Sequence, residues 1–173
     1  MTIGGLRIER PVVVASGPLT CKVGLLEQAE AAGASAAMLK LTFVSVPFPG
    51  RMRSYSVPGE TIVSPIDNRL NVDQACVLAR EGRARTGLTL FANLGARGTK
   101  IEEWRLLSGR LAEAGVHGLE LNFCCPNLDT DAMAAARARG EHGGSQICEH
   151  PDQCAMIVEA VKRTVGLPVV CKY

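Results

Sequence analysis

The sequence predicts an α/β fold in which repeated βα units surround a parallel sheet. Short apolar runs of strand length alternate along the chain with longer segments whose apolar residues recur at helical spacing. Strands covered on both faces should be apolar throughout, yet four polar residues fall near the ends of four runs: Lys40, Asn93, Asn122 and Lys172. With 173 residues the chain is long enough for one domain, so we expect a single domain over residues 1–173.

The same alternation predicts five strands and four helices. The predicted strands cover Pro11–Ala15, Ala36–Leu41, Leu88–Asn93, Gly118–Phe123 and Leu167–Tyr173. The predicted helices cover Val23–Ala32, Asn71–Arg83, Ile101–Ala114 and Asp152–Val165. Before the first strand, Thr2–Arg10 is expected to form a small hairpin that turns at Gly4 and Gly5. Two polar stretches, Thr42–Asp67 and Cys124–His150, are expected to be loops long enough to carry function.

Composition and charge restrict the classes of function. Nineteen Lys and Arg against seventeen Asp and Glu give a net charge of +2, which argues against a dedicated nucleic-acid or membrane-surface protein. No apolar run approaches the length of a membrane span and the N-terminus lacks an export signal, so we expect a cytoplasmic protein. Seven cysteines without a Cys-x-x-Cys pair indicate reduced thiols and no metal site. We therefore expect a small-molecule substrate, with no nucleic-acid or membrane partner.

The carboxyl ends of the predicted strands are the expected location of a functional site. In a βα barrel or an open doubly wound sheet, the loops that follow the strands converge at that edge. Glu120 and Asn122 alternate with apolar neighbours, so both should point to one face of their strand. Taken alone, each of these polar residues is as compatible with a structural role as with a functional one. The structural role is a hydrogen-bonded core group or a lysine that reaches solvent. Their coincidence at one edge favours a shared site.

One motif carries a family resemblance. The stretch Glu120-Leu-Asn-Phe-Cys-Cys-Pro-Asn127 resembles the strand-four signature of FMN-dependent dihydroorotate and dihydropyrimidine dehydrogenases, Asn-x-Ser-Cys-Pro followed by Asn or His. Pro11–Gly17 is similar to the first strand and flavin-binding turn of that family, and Lys40-Leu-Thr42 to the end of its second strand. Further matches in the same order are Glu103-Trp104, Ala114-Gly115, Gly143-Gly144 and Pro168–Lys172. The resemblance covers nearly the whole chain.

The resemblance implies a (βα)8 barrel of the TIM type that holds FMN at its carboxyl edge and moves a hydride between the flavin and a pyrimidine ring carbon. Such a barrel takes about 250 residues, so this chain would supply its first four βα units and fifth strand. We therefore expect a further segment, a second chain or a homo-oligomer to complete the barrel. An electron-transfer subunit is also expected in some arrangements, because the sequence carries neither a Gly-x-Gly-x-x-Gly turn nor clustered cysteines.

The resemblance also implies roles for individual residues. Cys125 matches the catalytic cysteine, which exchanges a proton with a ring carbon of the substrate. The residues that match flavin contacts are Ala15, Ser16, Gly17, Lys40, Asn93 and Lys172. The residues that match pyrimidine contacts are Lys40, Asn68, Asn122 and Asn127. An asparagine suits this role because its amide offers a donor and an acceptor in one plane.

Departures from the family pattern leave alternatives open. Cys124 stands where the family has serine, so either thiol of the Cys124-Cys125 pair could serve. Asn127 favours the dihydroorotate branch, whereas Glu103-Trp104 and the glycine-rich loop favour a dihydropyrimidine (uracil or thymine) dehydrogenase subunit. A tRNA dihydrouridine synthase shares a related Asn-x-Gly-Cys-Pro motif, but the near-neutral charge and 4% aromatic content oppose it. A non-catalytic half-barrel or a truncated fragment is the remaining alternative, which only the length supports.

Overall fold

The structure is a computed structural model that describes residues 1–45, 52–65, 69–125 and 141–173. Its strands are β1 (Thr2–Ile3), β2 (Leu6–Arg7), β3 (Val13–Val14), β4 (Ala36–Met38), β5 (Thr42–Phe43), β6 (Met52–Val57), β7 (Glu60–Pro65), β8 (Leu70–Asn71), β9 (Thr89–Leu94), β10 (Gly118–Asn122) and β11 (Val169–Lys172). Its helices are α1 (Val23–Ala31), α2 (Val72–Arg85), α3 (Ile101–Glu113) and α4 (Pro151–Thr164), with short 3-10 helices at Pro18–Thr20 and Gly144–Glu149. Each predicted helix is confirmed to within two residues at either end, and each predicted strand overlaps an observed one.

Five strands of the main sheet are parallel and follow one another in chain order, β3-β4-β9-β10-β11. One helix lies between each strand and the next, and α1 packs on α2, α2 on α3 and α3 on α4. Consecutive parallel strands joined by helices form the curved wall of half a βα barrel. In the described part of the chain, no helix is both long and apolar enough to cross a membrane.

The connection between β4 and α2 contains strands that we did not predict. We expected Thr42–Asp67 to be a loop, but β5 runs parallel to β8 and to the end of β9. Further along, β6 and β7 form an antiparallel hairpin whose turn contains Gly59 at φ +88°. The predicted N-terminal hairpin of β1 and β2 is confirmed, with Gly4 at φ +57° and Gly5 at φ +88° in its turn. These left-handed φ values favour glycine, which explains the Gly-Gly pair.

Side chains alternate between two faces along β9 and β10. The residues that face the helices are Leu90, Ala92, Leu94, Leu119 and Leu121. They belong to one buried core to which Trp104 contributes from α3 and Ile157 from α4. The alternate residues, which face the inside of the curve, are Phe91, Asn93, Gly118, Glu120 and Asn122. The same two strands therefore present an apolar face to the helices and a partly polar face to the barrel interior.

The register between strands sets the polar residues side by side. Asn93 is level with Glu120 on the neighbouring strand, and Asn122 is level with Lys172. Met38 of β4 is level with Phe91 and Thr42 of β5 is level with Leu94, so Lys40 lies between these two pairings, beside the end of β9. The fold thus gathers the polar residues of four successive strand ends at the carboxyl edge of the sheet.

Candidate active site

A chain of buried hydrogen bonds joins the inward-facing polar residues of β9 and β10. Asn93 donates through Nδ2 to Glu120 Oε2, and Asn122 donates through Nδ2 to Asn93 Oδ1 at 3.1 Å. Asn93 is fully buried, and Glu120 and Asn122 are at most 8% exposed. A buried polar group that loses its partner costs about 1–3 kcal/mol, so these bonds hold both amides in one orientation.

Asn122 in turn holds the first residues after β10. Its Oδ1 accepts hydrogen bonds from the backbone N of Cys125 at 3.0 Å and of Cys124 at 3.3 Å. Asparagine commonly stabilises a turn by accepting from the backbone that follows it. The carbonyl O of Cys125 accepts from Ser145 N at 3.2 Å, at the start of the second 3-10 helix. The backbone of Cys125 is therefore tied both to the end of β10 and to the loop before α4.

The two adjacent thiols have different surroundings. Cys124 Sγ lies 3.6 Å from Asn122 Oδ1, and burial raises the pKa of the Cys124 thiol against the opposing charge of Lys172. Cys125 Sγ instead lies 3.9 Å from the guanidinium Nη2 of Arg69. A nearby cation favours the thiolate, which is the reactive form of cysteine. The two thiols therefore contact different groups, Cys124 the Asn122 amide oxygen and Cys125 the Arg69 guanidinium.

Arg69 is a site residue that the sequence analysis did not assign. It directly precedes β8, is only 7% exposed, and places its guanidinium carbon 5.8 Å from the centre of the Phe43 ring. Burial lowers the pKa of Arg69, while the negative charge of a Cys125 thiolate acts in the opposite direction. The backbone N of Leu70 donates to Leu41 O at 3.1 Å, which fixes this segment beside the end of β4. No local pattern in the sequence marks Arg69, because it meets Cys125 across 56 positions of the chain.

Glu120 and Lys172 bring opposite charges to neighbouring strands. Burial raises the pKa of the Glu120 carboxyl, and this effect exceeds the lowering by the hydrogen bond from Asn93 and by the charge of Lys172. The carbonyl of Lys172 accepts from Phe123 N at 2.9 Å, which continues the pairing of β10 with β11. One edge of the sheet therefore holds several groups that can exchange protons: the Glu120 carboxyl, the Lys172 amine and the two thiols.

The turn after β3 lies next to this edge and has open space beside it. Among the described residues, a Cβ added to Gly17 would meet only Ala15 O, at an ordinary 3.7 Å. Thr20 Oγ1 accepts from Gly17 N and donates to Gly17 O, both at 3.1 Å. Thr20 O also accepts from Lys40 N at 3.0 Å, so this turn is tied to the end of β4. Ser16 is half-buried between these residues.

The structure brings most of the expected site residues together. Those at the carboxyl edge of the sheet are Lys40, Asn93, Asn122, Cys125 and Lys172, with Ala15, Ser16 and Gly17 in the adjoining turn. Asn68 and Asn127 lie outside the described residues. All seven cysteines are free thiols, and in the described ranges no three His, Cys, Asp or Glu side chains form a group that could hold a metal ion.

A parallel half-barrel of alternating strands and helices, with a cysteine held just beyond β10, defines the class: an α/β protein with a polar site at the carboxyl edge of its sheet. The chain is 26% identical over 175 residues to "Putative dihydroorotate dehydrogenase A (fumarate)" of Aeropyrum pernix, an alignment that covers 99% of the chain and 52% of that protein. It is 37% identical over 87 residues to "Dihydroorotate dehydrogenase B (NAD(+)), catalytic subunit" of Maridesulfovibrio salexigens, which covers 49% of the chain and 24% of that subunit. No family model matches the chain.

These similarities confirm the resemblance to dihydroorotate dehydrogenases that the motif after β10 indicated. The chain spans about half the length of the relative that it matches along nearly its whole sequence.

Proposed function

We propose that this chain forms the substrate-facing half of an FMN-dependent oxidoreductase that acts on the CH–CH bond of a dihydropyrimidine. Its similarity to two proteins named dihydroorotate dehydrogenase supports this proposal. One observation carries the proposal. Asn122, held by Asn93 and through it by Glu120, fixes the backbone of Cys125 at the carboxyl edge. A proton-transferring thiol must be held in place in this way, because proton transfer needs a donor and acceptor at hydrogen-bond distance.

FMN is the cofactor that this proposal requires, and when bound it supplies the acceptor or donor of a hydride. The residues proposed to hold it are Ala15, Ser16, Gly17, Lys40, Asn93 and Lys172. The donor set fits a flavin, because Lys172 offers a fixed cation to an anionic ring and Gly17 leaves room beside its backbone. In TIM barrels the loops after strands seven and eight commonly bind the phosphate, so we assign that contact to a segment outside these 173 residues.

Cys125 is proposed to move the proton. In the oxidation direction a C–H bond of the substrate ring breaks and its proton passes to the Cys125 thiolate; reduction of the pyrimidine reverses this transfer. Cysteine suits the role because its thiol and thiolate are both accessible near neutral pH. The hydrogen bonds of Asn122 and Ser145 to the Cys125 backbone limit how far the sulfur can move from the ring.

Lys40, Asn68, Asn122 and Asn127 are proposed to contact the pyrimidine. The hydrogen bonds of Asn122 limit the kind of contact that we propose for it, because its Oδ1 already accepts from two backbone N–H groups. Its Nδ2 carries two hydrogens, of which the bond to Asn93 uses one. We therefore propose that Asn122 donates to a ring carbonyl rather than accepting from a ring N–H.

Completion of the barrel requires a partner in this proposal. A further segment, a second chain or a homo-oligomer would cover the strand edges of β3 and β11. An electron-transfer subunit is also proposed, because one relative is named "Dihydroorotate dehydrogenase B (NAD(+)), catalytic subunit". The proposed location of this protein is the cytoplasm. The substrate is a small pyrimidine in either case.

The decisive experiment measures flavin binding and flavin reduction on the purified protein. The protein is incubated with FMN, freed of excess flavin and mixed anaerobically with dihydroorotate or, in parallel, with dihydrouracil. We expect retained flavin whose absorbance near 450 nm is lost on mixing, and the faster of the two substrates identifies the branch. Cys125→Ser should slow this loss by about 10²–10⁴-fold while the flavin content is unchanged.

Cys124→Ser is the matched control, since it makes the same chemical change at the neighbouring position. We expect it to stay within a few-fold of the wild-type rate because Cys124 faces Asn122 rather than Arg69. A protein that retains no flavin even when the segment supplying the phosphate contact is present, or a large loss with Cys124→Ser and none with Cys125→Ser, contradicts the proposed function.

A further inference from the structure

We propose that Arg69 is a positioning residue that holds the sulfur of Cys125 and places a fixed positive charge beside it. The inference rests on the proposed role of Cys125 as the proton-transferring group. It adds a residue that the motif of the resembling family does not contain, brought to the site by the connection between β4 and α2.

The contact between the two side chains carries the inference. Arg69 Nη2 lies 3.9 Å from Cys125 Sγ, within reach of an N–H···S hydrogen bond. Cys125 packs against Leu41 and Phe43, and the guanidinium of Arg69 lies over the Phe43 ring. Both groups therefore share one apolar surface, where a charge acts more strongly than it does in water.

Burial of Arg69 favours a negatively charged partner for its guanidinium. A guanidinium that is 7% exposed loses much of its hydration, and burial lowers its pKa below the ordinary value for arginine. A negative charge on Cys125 opposes this effect, so the cation and the thiolate favour each other. Arginine stays charged at neutral pH, which makes Arg69 a constant source of positive charge beside the sulfur.

Other ionisable groups lie at the same edge, and one of them, Cys124, interacts electrostatically with Cys125. Glu120 and Cys124 lie on β10 and its extension, Lys172 on β11, and Lys40 follows β4. The charge of Lys172 acts on the pKa values of Glu120 and Cys124, whereas Arg69 is the cation that contacts Cys125 Sγ. Since the thiolate occurs before proton uptake in oxidation and after proton release in reduction, Arg69 should matter in both directions.

The test is the rate of alkylation of Cys125 by iodoacetamide between pH 5.5 and 9.5, followed for each cysteine by mass spectrometry of the digested protein. Only the thiolate reacts, so the profile reports how much thiolate is present. We expect Arg69→Gln and Arg69→Met to slow the reaction of Cys125 at pH 7 about tenfold. Arg69→Lys, which keeps a cation, should stay within about threefold of wild type.

Two controls separate a local effect from a change of fold. Arg105→Gln removes a half-exposed arginine that pairs with Glu102 on α3, and it should leave the Cys125 profile unchanged. The exposed thiol of Cys148 should react at the same rate in every variant, and the buried thiols Cys76 and Cys154 should stay protected. If one of the two uncharged variants, Arg69→Gln or Arg69→Met, exposes these buried thiols, the other serves as the uncharged comparison.

A Cys125 profile that is the same in wild type and in a folded uncharged variant overturns the inference. So does an equal loss in Arg69→Lys and Arg69→Gln, because shape rather than charge would then matter. Alkylation needs neither flavin nor pyrimidine, so the test is independent of the proposed function. An inactive protein with a strong Arg69 effect refutes the proposed function alone, and an active one whose profile ignores Arg69 refutes this inference alone.

Discussion

The two faces of β9 and β10 carry side chains of opposite character, although these side chains alternate one by one along the same strands. Toward the helices, Leu119 and Leu121 are fully buried among other apolar groups. Toward the barrel interior, Glu120 and Asn122 are almost as deeply buried, but they lie in a hydrogen-bonded network. Burial alone therefore does not distinguish the two faces; the chemistry of the partners does.

The comparison teaches where stability and chemistry reside in this half-barrel. Apolar burial on the outer face contributes free energy of folding in proportion to the area removed from water. Buried polar groups on the inner face contribute little net stability, because their hydrogen bonds replace equally good bonds to water. A network that adds little stability but fixes Asn122 and Cys125 is expected where the position of a reactive group matters.

The largest effect on stability is expected on the outer face. Leu121→Ala removes a fully buried side chain from the core and should lower the free energy of unfolding by about 2–5 kcal/mol. Leu106→Ala makes the same change on α3 at a site that is 44% exposed, and it should cost about 1 kcal/mol or less. Urea unfolding followed by circular dichroism measures both. Equal losses at the two sites would contradict the assignment of Leu121 to the core.

A smaller effect is expected at the amino end of the inner face. A Cβ added at Gly118 would lie 2.6 Å from Phe91 Cδ1 and 3.2 Å from Pro168 O, so Gly118→Ala overfills the interior. We expect a loss of about 1–3 kcal/mol in the same unfolding assay. Gly109→Ala is the matched control, because its Cβ would meet Thr164 at 3.9 Å within a helix. Alanine is the better helix former, so this variant should gain about 0.5–1 kcal/mol.

Local patterns in the sequence were sufficient to predict the helices and the polar edge. Helical spacing of apolar residues marks α1 and α3, and Gly33 and Gly115 follow them at φ +101° and +89°, as expected of residues that end a helix. The gathering of Lys40, Asn93 and Lys172 follows from their places near strand ends, because parallel strands end at one edge.

Contacts that depend on register or on long-range pairing could not be predicted in this way. The two-residue strands β5 and β8 pair with each other and not with a near neighbour in sequence, so no alternation marks them. The hydrogen bond from Asn93 to Glu120 requires these residues to be level on neighbouring strands. Local patterns in a single sequence do not predict that register. Arg69 directly precedes β8, and the pairing of β8 with β5 brings it to Cys125. This long-range pairing explains why sequence reasoning missed Arg69.

The smallest expected effect is a difference in pH dependence between Glu120, in the middle of β10, and His117, the residue before that strand. Burial raises the pKa of Glu120 above its ordinary 4.5, so the folded state holds this proton more tightly than the unfolded chain. As pH rises above 4.5 the unfolded chain ionises first, and stability falls until the folded pKa is passed. Glu120→Gln keeps an acceptor for Asn93 but cannot ionise. The free energy of unfolding of this variant, relative to wild type, should therefore increase from pH 4 to pH 7.

His117, just before β10, should show the opposite slope. Burial, with the charge of Arg83, lowers the pKa of His117 below its ordinary 6.5. The folded state therefore favours the neutral ring, and this contribution is present above pH 6.5 and is lost as pH falls through the folded pKa. His117→Gln should be closest to wild type in stability at low pH. Urea unfolding of both variants at pH 4, 5.5 and 7 measures the two slopes. If stability relative to wild type changed with pH in the same direction in both variants, the opposite pKa shifts of Glu120 and His117 would be contradicted.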